Sequence, residues 1–131
     1  MFSYCWKLES FSSDLSSLTN GSNMFDSCTA LTTFTSDLSS LENGQKMFYC
    51  CYNLTALDAD SSGSPVNLSS LTDAFCMFES CKKLSAFTSD SSGSPVNLSS
   101  LENGCRMFYG CSALTSFTSD LSSLTDGWGM F

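Results

Sequence analysis

The dipeptide Met-Phe recurs along the chain, and this recurrence constrains the fold more than any other sequence feature. Its methionines are separated by 23, 23, 30, 30 and 23 residues: Met1, Met24, Met47, Met77, Met107 and Met130. Laid over one another, the units share the pattern M-F-x-x-C-x-x-L-x-x-F-x-S-D-L-S-S-L-x-x-G-x-x. A chain with such self-similarity folds as an array, in which each unit buries its apolar residues against its neighbours.

The pattern divides a single 131-residue domain into five units. They span residues 1–23, 24–46, 47–76, 77–106 and 107–129, and residues 130–131 begin a further unit. The two long units differ from the others by an inserted S-S-G-S-P-V-N at residues 61–67 and 91–97. We expect these paired inserts to protrude side by side, where surface loops commonly carry recognition.

Each unit holds one segment typical of a strand and one with the spacing of a helical turn. The segment L-x-x-F-x-S is short and rich in Thr, Ser and Phe, which favours a β-strand that pairs in parallel with its copy in the next unit. The segment M-F-x-x-C has the i, i+3 spacing of one helical turn. We therefore predict a leucine-rich-type repeat solenoid of five coils, with short parallel β-strands and one helical turn per coil. At about 4.8 Å per coil it would be roughly 24 Å long.

The units that begin at Met24 and Met107 read M-F-x-x-C-x-x-L-T-x-F, and D-L-S-S-L-T-D-G follows at residues 120–127. These units resemble the BspA-like leucine-rich repeats of bacterial and mobile-element surface proteins. The resemblance covers essentially the whole chain. It implies a right-handed solenoid, an extracellular or cell-surface location, and an adhesive or structural role. It carries over no catalytic residues.

The residue types of the chain argue against an enzyme. It contains no histidine, so it lacks the commonest general base and the commonest ligand of transition metals. A zinc site built from thiolates alone requires C-x-x-C pairs, and the sequence has none. We therefore predict a protein that is not an enzyme and that has no catalytic residues, metal site or cofactor.

The charge balance excludes two classes of partner. The chain has a formal net charge of −8 and only five basic residues, whereas nucleic acid requires clustered cations. No run approaches the roughly 20 apolar residues of a membrane-spanning helix. We predict that the protein neither binds nucleic acid nor inserts into a membrane.

The eight cysteines fall into two groups. Five follow the repeat and are expected to be buried free thiols: Cys5, Cys28, Cys51, Cys81 and Cys111. Among the others, Cys76 and Cys105 lie one column apart in successive units. They form a candidate disulfide, although free thiols are the alternative.

Two sets of polar residues recur with the units. One is a column of aspartates, in which a turn role is favoured over a calcium site: Asp14, Asp37, Asp60, Asp90 and Asp120. The other consists of asparagines in N-x-S/T sequons: Asn67, Asn97, Asn53 and Asn20. Because a glycan must project from the surface, Asn67 and Asn97 in the inserts are the best candidates for glycosylation.

Apolar residues at both termini are in phase with the repeat: Met1, Phe2, Trp6, Trp128, Met130 and Phe131. A solenoid normally needs polar caps, so we expect these residues to contact another copy head to tail or further repeats of a longer chain. The predicted function is therefore an extracellular structural or adhesive repeat protein, which stacks end to end as a building block of a surface fibre or stalk.

The alternative function is an adhesin-type binding module. It would recognise a host protein or glycan through the strand face or the paired inserts. Such a module exposes a cluster of Tyr, Trp or Arg, the residue types that dominate binding energies. Several of these residues flank the M-F-x-x-C segments, so this alternative remains open.

Overall fold

The computed structural model describes residues 1–58, 66–85, 87 and 96–131. Three strands form one parallel sheet in the order β1-β2-β3: β1 is Ser10–Ser12, β2 is Thr33–Thr35 and β3 is Ala56–Asp58. The central residues Phe11, Phe34 and Leu57 pair in register and point towards the core. The strands lie within the L-x-x-F-x-S segments, as the alternation of polar and aromatic residues predicts.

The predicted leucine-rich-type solenoid of five coils with a helical turn in each is wrong. The described residues contain three strands of three residues each, in one open sheet, and no helix. At the position where the fourth and fifth units were expected to supply strands, the described residues show the isolated bridge Phe87↔Phe117. The same part of the chain accordingly has no helix that could cross a membrane.

Backbone conformation explains why the M-F-x-x-C segments are not helical. Around the Met-Phe pair that begins the second unit, Asn23 and Ser27 have φ values of 56° and 59°, one before the pair and one after it. An α-helix requires φ near −60° at consecutive residues, so a left-handed residue at each of these positions ends it. The i, i+3 spacing is instead that of a tight turn, in which the Cys28 amide donates to the Phe25 carbonyl at 3.1 Å.

Hydrogen bonds in this segment alternate between two kinds of acceptor. The amides of Phe25 and Ser27 donate to Met47 and Tyr49 in the next unit, at 2.9 and 2.8 Å. The amide of Cys28 instead bonds within its own unit, three residues back. Alternation with a period of two is the pattern of a strand ladder rather than of a helix. The segments therefore bind neighbouring units to each other.

A second ladder links all five units at the turn that follows S-S-L. It consists of isolated parallel bridges along one column of residues: Asn20, Asn43, Asp73, Asn103 and Asp126. Each of these side chains also accepts a hydrogen bond at about 3.0 Å from the amide two residues further on. The column thus fixes both the turn and the parallel register of the units.

The core contains a continuous stack of phenylalanine rings. Adjacent rings lie 5.4 to 5.8 Å apart and within 12° of parallel: Phe2, Phe25, Phe48, Phe78, Phe108 and Phe131. Strand residues such as Phe34 meet this stack edge-on, at 4.9 Å from Phe48. Both arrangements are favourable for aromatic pairs. Leucines and methionines of the other columns complete the core.

Candidate functional site

Polar and aromatic side chains gather where the M-F-x-x-C segments meet solvent. We call this region the turn surface and define it as residues 1–7, 22–30, 45–53, 75–83, 105–113 and 128–131. Successive units are joined here by the alternating amide ladder, for example from Cys50 to the Glu79 carbonyl at 2.9 Å and from Ser80 to the Tyr109 carbonyl at 2.8 Å. Equivalent side chains of different units therefore form rows.

The turn surface has a composition unlike that of the rest of the chain. It holds every Tyr, Trp, Lys and Arg: Tyr4, Tyr49, Tyr52, Tyr109, Trp6, Trp128, Lys7, Lys46, Lys82, Lys83 and Arg106. Of the 13 acidic residues it holds only Asp26 and Glu79. Five cations minus two carboxylates give this surface a formal charge of +3, and the remaining 11 carboxylates give the rest of the chain −11.

Most of the cations lie over aromatic rings. The Lys82 ammonium is 5.0 Å from the centre of the Tyr52 ring in the preceding unit, and the Lys7 ammonium is 4.7 Å from the Trp6 ring. The Arg106 guanidinium is 4.5 Å from the Tyr109 ring. Each exposed contact of this kind contributes about 0.5–1 kcal/mol. The rings therefore hold the cations in place along the turn surface.

One ion pair on this surface joins the beginning of the fourth unit to its last residue. Arg106 donates to the Glu79 carboxylate at 2.7 Å, and Glu79 is buried. Because a buried carboxylate is costly without a partner, Arg106 compensates the negative charge of Glu79. Lys82 and Lys83 are exposed, so their positive charges determine the local charge of the surface.

Several of the aromatic rings face solvent. The exposed fraction is 62% for Trp6, 39% for Tyr52, 48% for Tyr109 and 72% for Trp128. A hydrogen bond with Cys50 is the main cause that raises the pKa of Tyr52, so its phenol stays neutral at physiological pH. These rings are the only large exposed aromatics that the described residues provide, apart from Tyr4 and Phe131.

Behind the turn surface, the repeat cysteines form a second row. The thiols of Cys28, Cys51, Cys81 and Cys111 donate to the phenylalanine carbonyl of the preceding unit at 3.1 to 3.2 Å. All four are buried, and burial raises their pKa, to about 11 for Cys111. Unlike these, Cys5 is exposed. The buried thiols are protonated structural groups rather than nucleophiles.

The two cysteines of the candidate disulfide are neighbours. The amide of Cys76 donates to the carbonyl of Cys105 at 3.0 Å, both side chains are buried, and both thiols are free. Burial, followed by a hydrogen bond with Glu79, raises the pKa of Cys76 to about 12. The structure thus brings the pair together in reduced form, and the disulfide itself stays a prediction.

The candidate glycosylation sites differ in accessibility. Asn67 and Asn97 are exposed, and their Oδ1 atoms accept from the amides two residues on. Asn20 is also exposed, with its Oδ1 bonded to the Ser22 amide. By contrast, Nδ2 of Asn53, the atom that a glycan would modify, donates to the Thr29 carbonyl at 2.7 Å. Asn53 is therefore the poorest acceptor of the four.

Side-chain hydrogen bonds also show which residues occupy the turn position that was predicted for the aspartate column. Asp14, Asp37 and Asp120 accept from the amides two residues on, as a turn role requires. In the long units that turn is made by Asn67 and Asn97, the last residues of the inserts. Asp60, Asp90 and residues 61–65 and 91–95 of the inserts lie outside the described residues. No group of three or more metal-ligating side chains occurs in the described ranges.

The residues expected to make end-to-end contacts are placed unequally. Met1, Trp6, Trp128 and Phe131 are exposed, whereas Phe2 is half-buried against Phe25. Met130 is only 6% exposed and belongs to the core. Its carbonyl accepts from the Phe108 amide at 2.7 Å, which continues the ladder between units. Met130 therefore contributes to internal packing rather than to an end surface.

Comparison of the chain with protein-family models, with curated proteins and with solved structures found no match.

Proposed function

We propose that this protein is a structural repeat module, whose units add in parallel register to build an extended stalk or fibre. The observation that carries the proposal is the ladder from Asn20 to Asp126, which joins each unit to the next through an Asn or Asp at the same position of the repeat. An interface that is repeated between all neighbours can also be repeated beyond them.

The energetics favour stacking of like units. Each interface adds one phenylalanine pair, worth about 0.5–1.5 kcal/mol beyond its buried area. It also adds several amide hydrogen bonds of about 1 kcal/mol each and one thiol–carbonyl bond. Because these contacts lie between units, stability is expected to grow with the number of units.

The two outermost units present groups that interior units use for stacking. Strand β1 is at the edge of the sheet, and the Phe131 ring lies 61% exposed at the end of the phenylalanine stack. A further unit, from a longer chain or from a second copy, would cover both features with contacts of the kind seen inside the protein. Such a head-to-tail contact does not close on itself and so produces a fibre.

Electron microscopy and light scattering over a concentration series test this assembly. We expect unbranched fibres with a subunit repeat of roughly 24 Å, which is five units at about 4.8 Å. Phe131→Asp, which replaces the ring at the end of the stack by a charged carboxylate, should abolish them. Asn67→Asp is the matched control, because it adds the same charge on the side of the array and keeps a turn that Asp37 also makes. Persistent monomers of the unmodified protein would refute assembly between chains.

Membership of the BspA-like family is a proposal that rests on the M-F-x-x-C-x-x-L units. An extracellular location and an adhesive role follow from that resemblance alone. The strand face offers little to a partner, because its flanking residues are small, as at Ser10, Thr33 and Thr35. Any recognition role is better placed on the turn surface.

A further inference from the structure

We propose that the turn surface binds an acidic polysaccharide, with sugar rings packed on Trp6, Tyr52 and Tyr109 and their carboxylates paired with Lys82 and Lys83. This binding does not depend on whether units stack between chains. Apart from Trp6, the side chains it uses are not among those expected to make end-to-end contacts.

The first argument is the segregation of side-chain types. All six Tyr and Trp residues and all five cations of the chain lie on the turn surface. The core needs none of them, since it is built from Phe, Leu, Met, Cys, Val and Ala. Tyr, Trp and Arg are the residue types that dominate binding energies, because they offer large rigid contact areas with a polar tip. Their confinement to one surface indicates a binding role.

The second argument is charge. The turn surface carries a formal charge of +3 on a protein whose remainder carries −11. An anionic ligand is attracted to this surface alone and repelled by the others. Nucleic acid is not the complement, because a phosphate backbone requires a denser cluster of Lys and Arg than five residues spread over several units. The charge therefore fits a ligand with sparse negative groups.

The third argument is shape. Trp6 and Tyr52 occupy the same position in the first and third units, with Thr29 of the second unit between them, and the cleft beside Trp6 is about 290 Å³ in volume. Rings that recur along the array suit an extended chain, and a pyranose offers an apolar C–H face to a ring and hydroxyls to its rim.

The fourth argument is that the site is already ordered. Lys82 is held over the Tyr52 ring, and Arg106 is held between the Tyr109 ring and Glu79. Fixed side chains lose little further freedom when a ligand binds, which favours affinity. Thr29 and Ser112 occupy the same repeat position as Trp6 and Tyr52, in the second and fifth units, so the same row also contains hydroxyl groups for sugar hydroxyls.

Affinity electrophoresis and calorimetry with defined polymers test the proposal. Polygalacturonate is the carboxylated polysaccharide, dextran the neutral one, dextran sulfate the sulfated one, and polyglutamate the acidic peptide. We expect binding to polygalacturonate at about 0.1 M salt, weakening as salt rises. Dextran, dextran sulfate and polyglutamate should bind at least about tenfold more weakly, which corresponds to about 1.4 kcal/mol.

Variants distinguish binding through particular side chains from nonspecific attraction between charges. Tyr52→Ser and Lys82→Gln should each raise the Kd for polygalacturonate by about tenfold, the loss typical of a residue that carries binding energy. Glu9→Gln is the control, since it changes one exposed charge away from the turn surface and should leave the Kd unchanged. Circular dichroism checks folding, and Lys83→Gln replaces any variant that fails to fold.

Three outcomes would overturn the proposal. The first is no binding of polygalacturonate. The second is equal binding of polyglutamate, which would show attraction between charges without recognition of sugar rings, or equal binding of dextran sulfate, which would show that the surface does not select the carboxylates of the sugar. The third is an unchanged Kd for a folded Tyr52→Ser variant, which would remove the rings from the site.

Discussion

Phe48 offers the sharpest test of how the protein is held together. Its ring is fully buried, stacks between Phe25 and Phe78 at 5.6 and 5.5 Å, and meets Phe34 edge-on at 4.9 Å. The substitution Phe48→Leu keeps most of the apolar volume but removes all three aromatic contacts. At about 0.5–1.5 kcal/mol for each contact, the loss is about 3 kcal/mol, in addition to a repacking cost under about 1.5 kcal/mol.

The matched control is Phe2→Leu in the same column. Phe2 contacts two rings, Phe11 and Phe25, and because it is only partly buried each contact is taken at about 0.5 kcal/mol, so the expected loss is about 1 kcal/mol. Urea unfolding followed by circular dichroism measures both. With an m-value of about 2 kcal/mol/M, Phe48→Leu should lower the midpoint by about 1.5 to 2 M. Equal losses for the two variants would refute the view that ring contacts between units carry the stability.

Two further predictions concern the thiol row and the turns. Burial raises the pKa of Cys51 and Cys81, so above pH 9 the unfolded chain loses thiol protons that the folded chain keeps, and the free energy of unfolding falls as pH rises. With alanine at both positions, the free energy of unfolding, measured in urea under reducing conditions, should depend less on pH between about pH 8.5 and pH 10.5 than it does in the unmodified protein. The two slopes should differ by up to about 1.4 kcal/mol per thiol for each pH unit, and identical slopes would contradict the prediction. Gly110 has a φ of 74°, so Gly110→Ala should cost about 1 kcal/mol in thermal or urea unfolding, and an equally stable variant would show that this conformation is not needed.

Much of the array could be read from the sequence, because apolar columns repeat wherever units stack. The register of Phe11, Phe34 and Leu57 follows directly from laying the units over one another. The prediction of a helical turn was wrong for a specific reason. Phe and Cys three residues apart fit an i→i−3 turn as well as a helix, and spacing alone does not distinguish the two.

The residues with a positive φ are what prevents a helix in the M-F-x-x-C segments, and they were not identified from the sequence. Most are ordinary residues such as Lys46 and Arg106, which give no hint of a positive φ. The same columns, however, contain Asn23, Gly110 and Gly129, the residue types that tolerate this conformation best. Comparing the columns for Gly and Asn would have located both turns and excluded the helix.

The positive charge of the turn surface does not show in the net charge of the whole chain. A net charge of −8 for the whole chain argued against nucleic acid as a partner, although the cations are confined to one surface that is itself positive. The positions of the Tyr and Trp residues were visible, but their common surface depends on the stacking of units. The placement of cations over rings, as for Lys82 and Tyr52, joins residues 30 positions apart in the chain and required the structure.

The ladder of Asn and Asp residues has a consequence for how such a protein can change in length during evolution. Its steps already include both an Asn–Asn pairing, Asn20↔Asn43, and an Asn–Asp pairing, Asn43↔Asp73. Loss of residues 24–46 by recombination would set Asn20 beside Asp73, a pairing of a type that the protein already contains. Whole units can therefore be gained or lost without the invention of a new interface, and selection can adjust the length of the array in steps of one unit.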